Sequence, residues 1–479
     1  MCEADQGRSV MLTRLEVDGF KNLVDVRIDF GAFTCIAGEN GTGKSNVFDA
    51  IHFLSLLADR SLLDAAQEVR GIHGERTGDP RDLFWNGYAS VKRRVKFAAE
   101  MIVPSEVEDD FGRPAKATIT FLRYELSLGY QAPSGSEKIG RLTLLEESLQ
   151  HINLGDAPKR LAFPHSVSHF RKTVLRGHRS GKAFISTMIE NDQPIIRVHQ
   201  DGGSRGQPKP SAAFRAPATV VSTVTGADDP TILAARREMQ SWRRLALEPS
   251  ALRTSDRYVD PRTMDPNGRH LPGNLFRVAL ADELNPPESA YSRVSGRLAD
   301  LAGIRVRGLR VQEDDTRELL TIQLEEASGL ELPARSLSEG TLRFLALCVL
   351  LEDPTVTGLI CMEEPENGIH PANLEAMVRL VEDLSVDVND APGPDNPFRQ
   401  VIINTHSPGI VQLVNPADLL FADTAIRSTP DGSKAHTLRL RPMADTWRAR
   451  HGDAFPVTRL DILPYLTTPP GVQTSLELA

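Results

Sequence analysis

The chain has 479 residues, 40% of them hydrophobic and 25% charged, with a formal net charge of −9. That length builds two to three structural units around proper cores without disulfide or metal staples, and the negative balance excludes a surface coated in positive potential, so a nucleic acid would have to be gripped by local arginine clusters. No run approaches the roughly 18 to 20 apolar residues that span a bilayer, the start lacks a basic-then-apolar secretory pattern, and Cys2, Cys35, Cys348 and Cys361 lie far apart without ligand spacing, which points to a reduced, cytoplasmic protein with no membrane contact.

Residues 1–10 are a polar lead-in, expected as a loose tail. From Met11, apolar residues alternate at Leu15 and Val17, then at Val24, Val26, Ile28 and Phe30, which predicts two half-buried strands joined by a turn at Gly19. The continuous run Phe33-Thr34-Cys35-Ile36-Ala37 reads as a strand buried on both faces. It stops at Gly38-Glu39-Asn40-Gly41-Thr42-Gly43-Lys44-Ser45, and Val47, Ala50, Ile51, Leu54 and Leu57 follow at helical spacing. Strand, glycine loop and helix in this order make a phosphate-binding loop. Its glycines turn backbone N–H groups inward around a phosphate at a helix N-terminus, Lys44 is placed for the β- and γ-phosphates, and the Ser45 hydroxyl for Mg²⁺.

The stretch 91–215 alternates as antiparallel sheet, with a Gly/Pro-rich mobile loop near 200–217. Residues 229–302 turn helical, and the strand pair IRVRGLRVQED and LLTIQLEEA follows. Leu337-Ser338-Glu339-Gly340-Thr341 precedes Leu342, Leu345, Ala346, Val349 and Leu350 at helical spacing, so a serine and a glycine stand at a second helix N-terminus, another anion site. Gly358-Leu359-Ile360-Cys361-Met362-Glu363-Glu364-Pro365 is an apolar strand ending in two acids, where a parallel sheet binds its ligand. Burying two carboxylates there requires a cation, so Glu363 is assigned to the metal and Glu364 to the attacking water as general base. Val401-Ile402-Ile403-Asn404-Thr405-His406 is another buried strand, ending in a histidine assigned to sensing the γ-phosphate.

Taken together, the phosphate loop, LSEGT, CMEEPENGIHP and NTHSP resemble, in that order, the ABC-ATPase branch that includes RecF, SMC and the OLD-type ATPases. The phrase EPENGIHP at 364–371, with LALEPSALR at 245–253 and PGNL at 272–275, resembles a subgroup of predicted AAA-family ATPases. The resemblance implies an α/β fold: an ABC-type P-loop head with a mixed central sheet, an antiparallel β subdomain and a helical signature subdomain. It implies ATP and Mg²⁺ as cofactors, with Gly38, Asn40, Gly41, Gly43, Lys44, Ser45 and Asn46 around the nucleotide. Ser338 and Gly340 match the signature that clasps the nucleotide of a partner subunit, so ATP would be sandwiched in a homodimer or a higher oligomer of dimers. Residues 366–370 match the D-loop. Lys21, in Phe20-Lys21-Asn22, resembles a basic position near the phosphates in SMC-like heads, and Asn86 is the nearest match to the Q-loop. Glu363 departs from the family, which usually has aspartate there.

The expected organisation is a tail at 1–10, an ATPase lobe at 11–90, a mainly antiparallel insert at 91–228, a helical and strand subdomain at 229–335, the signature, Walker B, D-loop and H-loop core at 336–425, and an extension at 426–479. The 294 residues between Lys44 and Ser338 (338 − 44) carry strands and Pro/Gly breaks instead of heptads, so an SMC-type arm is not expected. The 73 residues after His406 (479 − 406) lack an acidic metal cluster, so a nuclease activity is expected from a separate effector. Two functions fit: a nucleotide-dependent switch for such an effector in a bacterial anti-phage defence or toxin-type system, and a RecF-like DNA-binding ATPase of repair. Candidates for polyanion contact are Lys92, Arg93 and Arg94; Arg171, Lys172, Arg176, Arg179 and Lys182; and Arg236, Arg237, Arg243 and Arg244 around Trp242, each group equally compatible with a solvated face. His165 and His169 have helical ligand spacing but no third ligand nearby in sequence.

Overall fold

A computed structural model describes residues 10–69, 79–85, 94–133, 140–179, 181, 183–191, 193–201, 209–213, 216–281, 285–302, 306–428, 432, 434–451 and 455–467. Its strands fall into two large sheets. The central one has the order Arg243–Leu245, Gly358–Glu363, Arg399–Thr405, Phe33–Gly38, Leu419–Ser428 and Lys434–Pro442. Neighbours are parallel except the last pair, which is antiparallel. Buried parallel strands need apolar side chains on both faces, and here they alternate. Leu359, Cys361 and Ile402 face one core while Ile360, Met362, Val401 and Ile403 face another.

The second sheet has eight strands: Lys209–Ala212, Gln193–Val198, Ile185–Glu190, Arg141–His151, Phe121–Gln131, Arg94–Ile102, Met11–Asp18 and Val26–Asp29, each antiparallel to its neighbour. The expected division at 90/91 therefore cuts through one sheet, because Met11–Asp18 pairs with Arg94–Ile102 over the register Met11↔Ile102 to Asp18↔Lys96. Pairing across such distances has no local signal, and periodicity cannot report it.

The helix Lys44–Leu57 is clamped between the two sheets. Its Val47, Phe48, Ile51, Phe53 and Leu54 are fully or nearly fully buried with Leu12, Leu15 and Val17 on one side and Cys361 and Ile402 on the other. Each such side chain contributes about 1.5–3 kcal/mol of transfer free energy, which holds the start of this helix, and so the phosphate loop, against both sheets. Gln400, fully buried, ties the sheets together in polar fashion: its Oε1 accepts from the Leu12 N–H at 2.9 Å, and its Nε2 donates to the carbonyls of Leu12 and Gly31 at 2.8 and 2.9 Å. On the opposite face of the central sheet, the helix Glu339–Glu352 packs with Leu271–Ala281 and Pro287–Ala302 over a small antiparallel sheet that includes Val306–Asp314 and Leu319–Glu326. Half of the loop expected near 200–217 lies outside the described residues, as do residues 1–9 of the lead-in, and within the described part Lys209–Ala212 is not loop but an edge strand paired with Gln193–Val198.

Candidate functional site

Gly38 ends the Phe33–Gly38 strand, and a Cβ there would lie 2.2 Å from the Ala422 carbonyl oxygen, so only glycine lets the neighbouring strand approach. Gly41 and Gly43 then take φ of +80° and +102°, which turns the chain into the helix that begins at Lys44. The Lys44 side chain folds back over the loop, and its Nζ donates to the carbonyls of Gly38 at 2.8 Å and Glu39 at 2.7 Å. Burial pulls its ammonium down to about 8, against the opposing charges of Glu364, Glu366 and Glu39. The turn carrying Phe20, Lys21 and Asn22 braces the loop from outside. Asn22 Nδ2 donates to the Thr42 carbonyl at 2.9 Å, its Oδ1 accepts from Asn46 Nδ2 at 2.7 Å, and a Cβ on Gly43 would meet the Asn22 amide at 2.2 Å. Lys21 pairs with Asp49 on the loop helix, Nζ to Oδ2 at 2.6 Å.

The acids stand at the carboxyl ends of the neighbouring strands. Glu363 is the last residue of its strand and is in register with Asn404. Asn404 is nearly fully buried and serves as a hub: its carbonyl and Oδ1 accept from the Glu364 N–H at 3.0 and 3.1 Å, and its Nδ2 donates to Ser45 Oγ at 3.4 Å. Ser45 and Glu363, a hydroxyl and a carboxylate, thus both adjoin one asparagine. Glu364 takes φ of +45°, and its carboxylate is held on both sides, Oε1 by His406 Nδ1 at 2.8 Å and Oε2 by Asn367 Nδ2 at 2.9 Å. Burial works to raise this carboxyl; the bonds from Asn367 and His406 and the charges of His406 and Lys44 outweigh it, and the group sits below its ordinary value. In the adjoining turn Thr405 Oγ1 donates to Glu366, whose carboxyl is raised by burial.

Ser338 caps the helix Glu339–Glu352, its Oγ accepting from the Thr341 N–H at 3.2 Å, and its side chain is exposed. Gly340 lies against the 366–370 turn, where a Cβ would stand 3.1 Å from the Gly368 carbonyl oxygen. The expected signature and D-loop segments are therefore neighbours within one chain.

Other candidates are placed differently from what the sequence suggests. Arg236 is buried and spends its guanidinium on Ala58, Asp59 and Asp110, so it is not presented to a polyanion, while Arg237 is partly exposed and pairs with Asp110. Arg244 turns towards the site, Nη2 to Glu363 Oε1 at 3.1 Å and Nη1 to Asp49 Oδ1 at 3.5 Å. Arg179 lies over the Phe184 ring and bonds the carbonyls of Gln200 and Asp201. Asn86, Lys92, Arg93 and Lys182 lie outside the described residues. His165 bonds the Phe163 carbonyl at 2.7 Å, and neither it nor His169 is in the group of described residues close enough to hold a metal, which is Asp256, Asp260 and His270. Asp256 is committed to structure there, accepting from His270 Nδ1 at 2.9 Å and from the Gly273 N–H at 2.7 Å near the start of the helix Leu271–Ala281. Sequence reasoning missed Asn22, Asp49, Asn404 and the role of Arg244. Only Asn404 left a signal: an amide at the end of an otherwise apolar buried strand needs a polar partner.

Two family models match the chain. One, described as "AAA domain, putative AbiEii toxin, Type IV TA system", covers residues 226–412, and the other, "RecF/RecN/SMC N terminal domain", covers residues 11–77. The DNA replication and repair protein RecF of Bacteroides thetaiotaomicron is 32% identical over 97 residues, 18% of this chain and 25% of that protein. The chromosome partition protein Smc of Mesomycoplasma hyorhinis is 32% identical over 97 residues, 20% of this chain and 9% of that protein. The match thus spans about a quarter of the length of the RecF proteins of Bacteroides thetaiotaomicron and Bacteroides fragilis, 25% of each. Among solved structures, the Smc head domain with an extended coiled coil bound to the C-terminal domain of ScpA, derived from Pyrococcus furiosus, overlaps 90% of this chain and 96% of that one at 12% identity, with a TM-score of 0.42.

Proposed function

We propose that this chain, an ABC-type ATPase of the RecF/SMC branch, binds and hydrolyses ATP and uses the nucleotide to close two heads into a dimer that switches a partner effector, working in the cytoplasm in a bacterial defence or toxin-type system. The observation that carries the hydrolytic part is the clamp on Glu364, a carboxyl kept below its ordinary value by Asn367 and His406 beside the phosphate loop. An ionised carboxylate at that place suits a general base for water, and His406, bonded to it, suits a sensor of the transferred phosphate. Lys44 leaves its two carbonyl partners for the phosphates. The hydroxyl of Ser45, bonded by Asn404, and the carboxylate of Glu363, on the residue in register with Asn404, are hard oxygen donors that fit Mg²⁺. When bound, that ion would neutralise charge on the β- and γ-phosphate oxygens. Gly38, Asn40, Gly41, Gly43 and Asn46 shape and brace the phosphate cradle, and Ser338 and Gly340, on an exposed helix terminus, meet the nucleotide of a second chain.

The defence or toxin setting rests on the description of the family model that matches 226–412. A second reading, a RecF-like DNA-binding head, is favoured by the RecF relatives. Purified protein is expected to hydrolyse ATP only with a divalent cation, and Lys44→Ala to lose nucleotide binding; a Lys44→Ala chain that binds and hydrolyses like the wild type would overturn the site. Co-purification with the product of a neighbouring gene supports the effector reading, whereas ATP-dependent binding of labelled duplex that weakens steeply with salt supports the DNA reading.

A further inference from the structure

Arg244 stands in the middle strand position of Arg243–Leu245, paired in parallel with Cys361 of the Glu363 strand. From there its guanidinium forks between two acids, Glu363 at 3.1 Å and Asp49 at 3.5 Å. Asp49, 2% exposed, is in turn bonded to Lys21. Asp49 lies four residues after Ser45, on the same face of the loop helix, so a row of alternating charges, Lys21, Asp49, Arg244 and Glu363, links that face of the helix to the end of the acid strand. We propose that Arg244 is a positioning residue for the metal-binding carboxylate: anchored by Asp49, it fixes one oxygen of Glu363 and so aims the group at the cation site next to Ser45.

This explains a departure in the sequence. An aspartate at 363 would draw its carboxylate back by roughly 1.5 Å, one carbon–carbon bond, and out of reach of the guanidinium. The longer glutamate matches an arginine on the adjacent strand, and the bond gives a flexible side chain one orientation. Groups that orient a metal ligand from behind typically change metal affinity 10- to 100-fold when removed. The inference rests on the reading that Ser45 and Glu363 hold Mg²⁺ with ATP.

The test uses the full chain and Mn²⁺ as a spin-active probe, titrated by electron paramagnetic resonance in the presence of a non-hydrolysable ATP analogue, with binding of a fluorescent ATP analogue in EDTA measured alongside. Arg244→Gln is expected to weaken Mn²⁺ binding about tenfold while metal-free nucleotide binding stays within about twofold. Arg244→Lys, which keeps the charge and loses the fork, is expected to fall between, and it supplies the measurement should the glutamine variant not fold. Mn²⁺ affinity unchanged or tightened in both variants overturns the assignment, as does an equal loss of nucleotide binding in EDTA, which would make Arg244 a support of the loop alone. Wild-type protein that binds no Mn²⁺ with the nucleotide overturns the underlying reading instead, a result distinct from wild-type binding that Arg244 substitutions leave untouched.

Discussion

Glu364 keeps its backbone at φ of +45°, a conformation that costs a non-glycine residue about 1–3 kcal/mol. The return is visible in its bonds: the turned N–H reaches both oxygens of Asn404, and the side chain falls between His406 and Asn367. Glycine would relieve the strain and remove the carboxylate, so the strain goes with the function. Glu364→Gln preserves size and keeps an oxygen to accept from Asn367, but it cannot take a proton from water. Its expected phenotype is Mg·ATP binding like the wild type with single-turnover hydrolysis slowed at least about a hundredfold. Wild-type hydrolysis by this variant would reassign the base, with Glu366 next in line because it is the buried acid of the same turn.

At the scale of elements, the helix Pro230–Ser241 delivers the chain to the strand of Arg244, and its end is fixed by a buried acid. Glu238 is fully buried, accepts from Trp242 Nε1 at 2.7 Å, and is pushed by burial up to about 8. An acid whose folded value is raised makes the native state bind more protons than the unfolded chain, so stability falls as pH rises from the unfolded value near 4.5 through about 8. Glu147, raised by burial to about 7 while it caps the backbone at Val220 and Val221, adds the same sign over a narrower window. Glu238→Gln keeps an acceptor for Trp242 and is expected to raise Tm at pH 8 while leaving it unchanged at pH 5; an equal change at both, read by thermal melts, would sink this account. The same region marks where sequence reading stops. The phosphate loop is legible because its glycine turn, lysine and serine are contiguous, and the acid strands because an apolar run ending in polar residues has few other uses. The strand Arg243–Leu245 is three residues inside a helical segment, created by pairing with a strand more than a hundred positions away, and the contacts of Asn22 with Thr42 and of Asn404 with Ser45 are likewise products of the fold. Arginines beside Trp242 look alike in sequence, yet Arg236 is buried, Arg243 is exposed and Arg244 faces Glu363.

For the whole molecule, the deciding geometry is that Ser338 is exposed at a helix terminus, packed through Gly340 on its own chain's 366–370 turn, while the helix that follows the phosphate loop packs in a different core from the helix that Ser338 caps. A second copy related by a two-fold axis can present this serine to the nucleotide of the first and receive the same in return, the self-complementary arrangement of a closed dimer. Ser338→Arg removes a helix cap, worth about 1 kcal/mol, which a buried core of this size tolerates, and it places a bulky cation where the partner's γ-phosphate would sit. ATP binding should persist and hydrolysis should fall to background. Mixing separates a defect in the chain from a defect across the interface. In a heterodimer with Lys44→Ala, the Ser338→Arg chain keeps an intact phosphate loop and receives an intact serine from its partner, so one site works; the other site combines both lesions and stays silent. Random exchange of equal amounts should therefore restore ~25% of wild-type turnover, although each parent alone has none. Recovery absent from heterodimers proven by mass measurement, or wild-type hydrolysis by Ser338→Arg alone, would mean that the signature does not act between chains, and the switch would have to be sought within a single head.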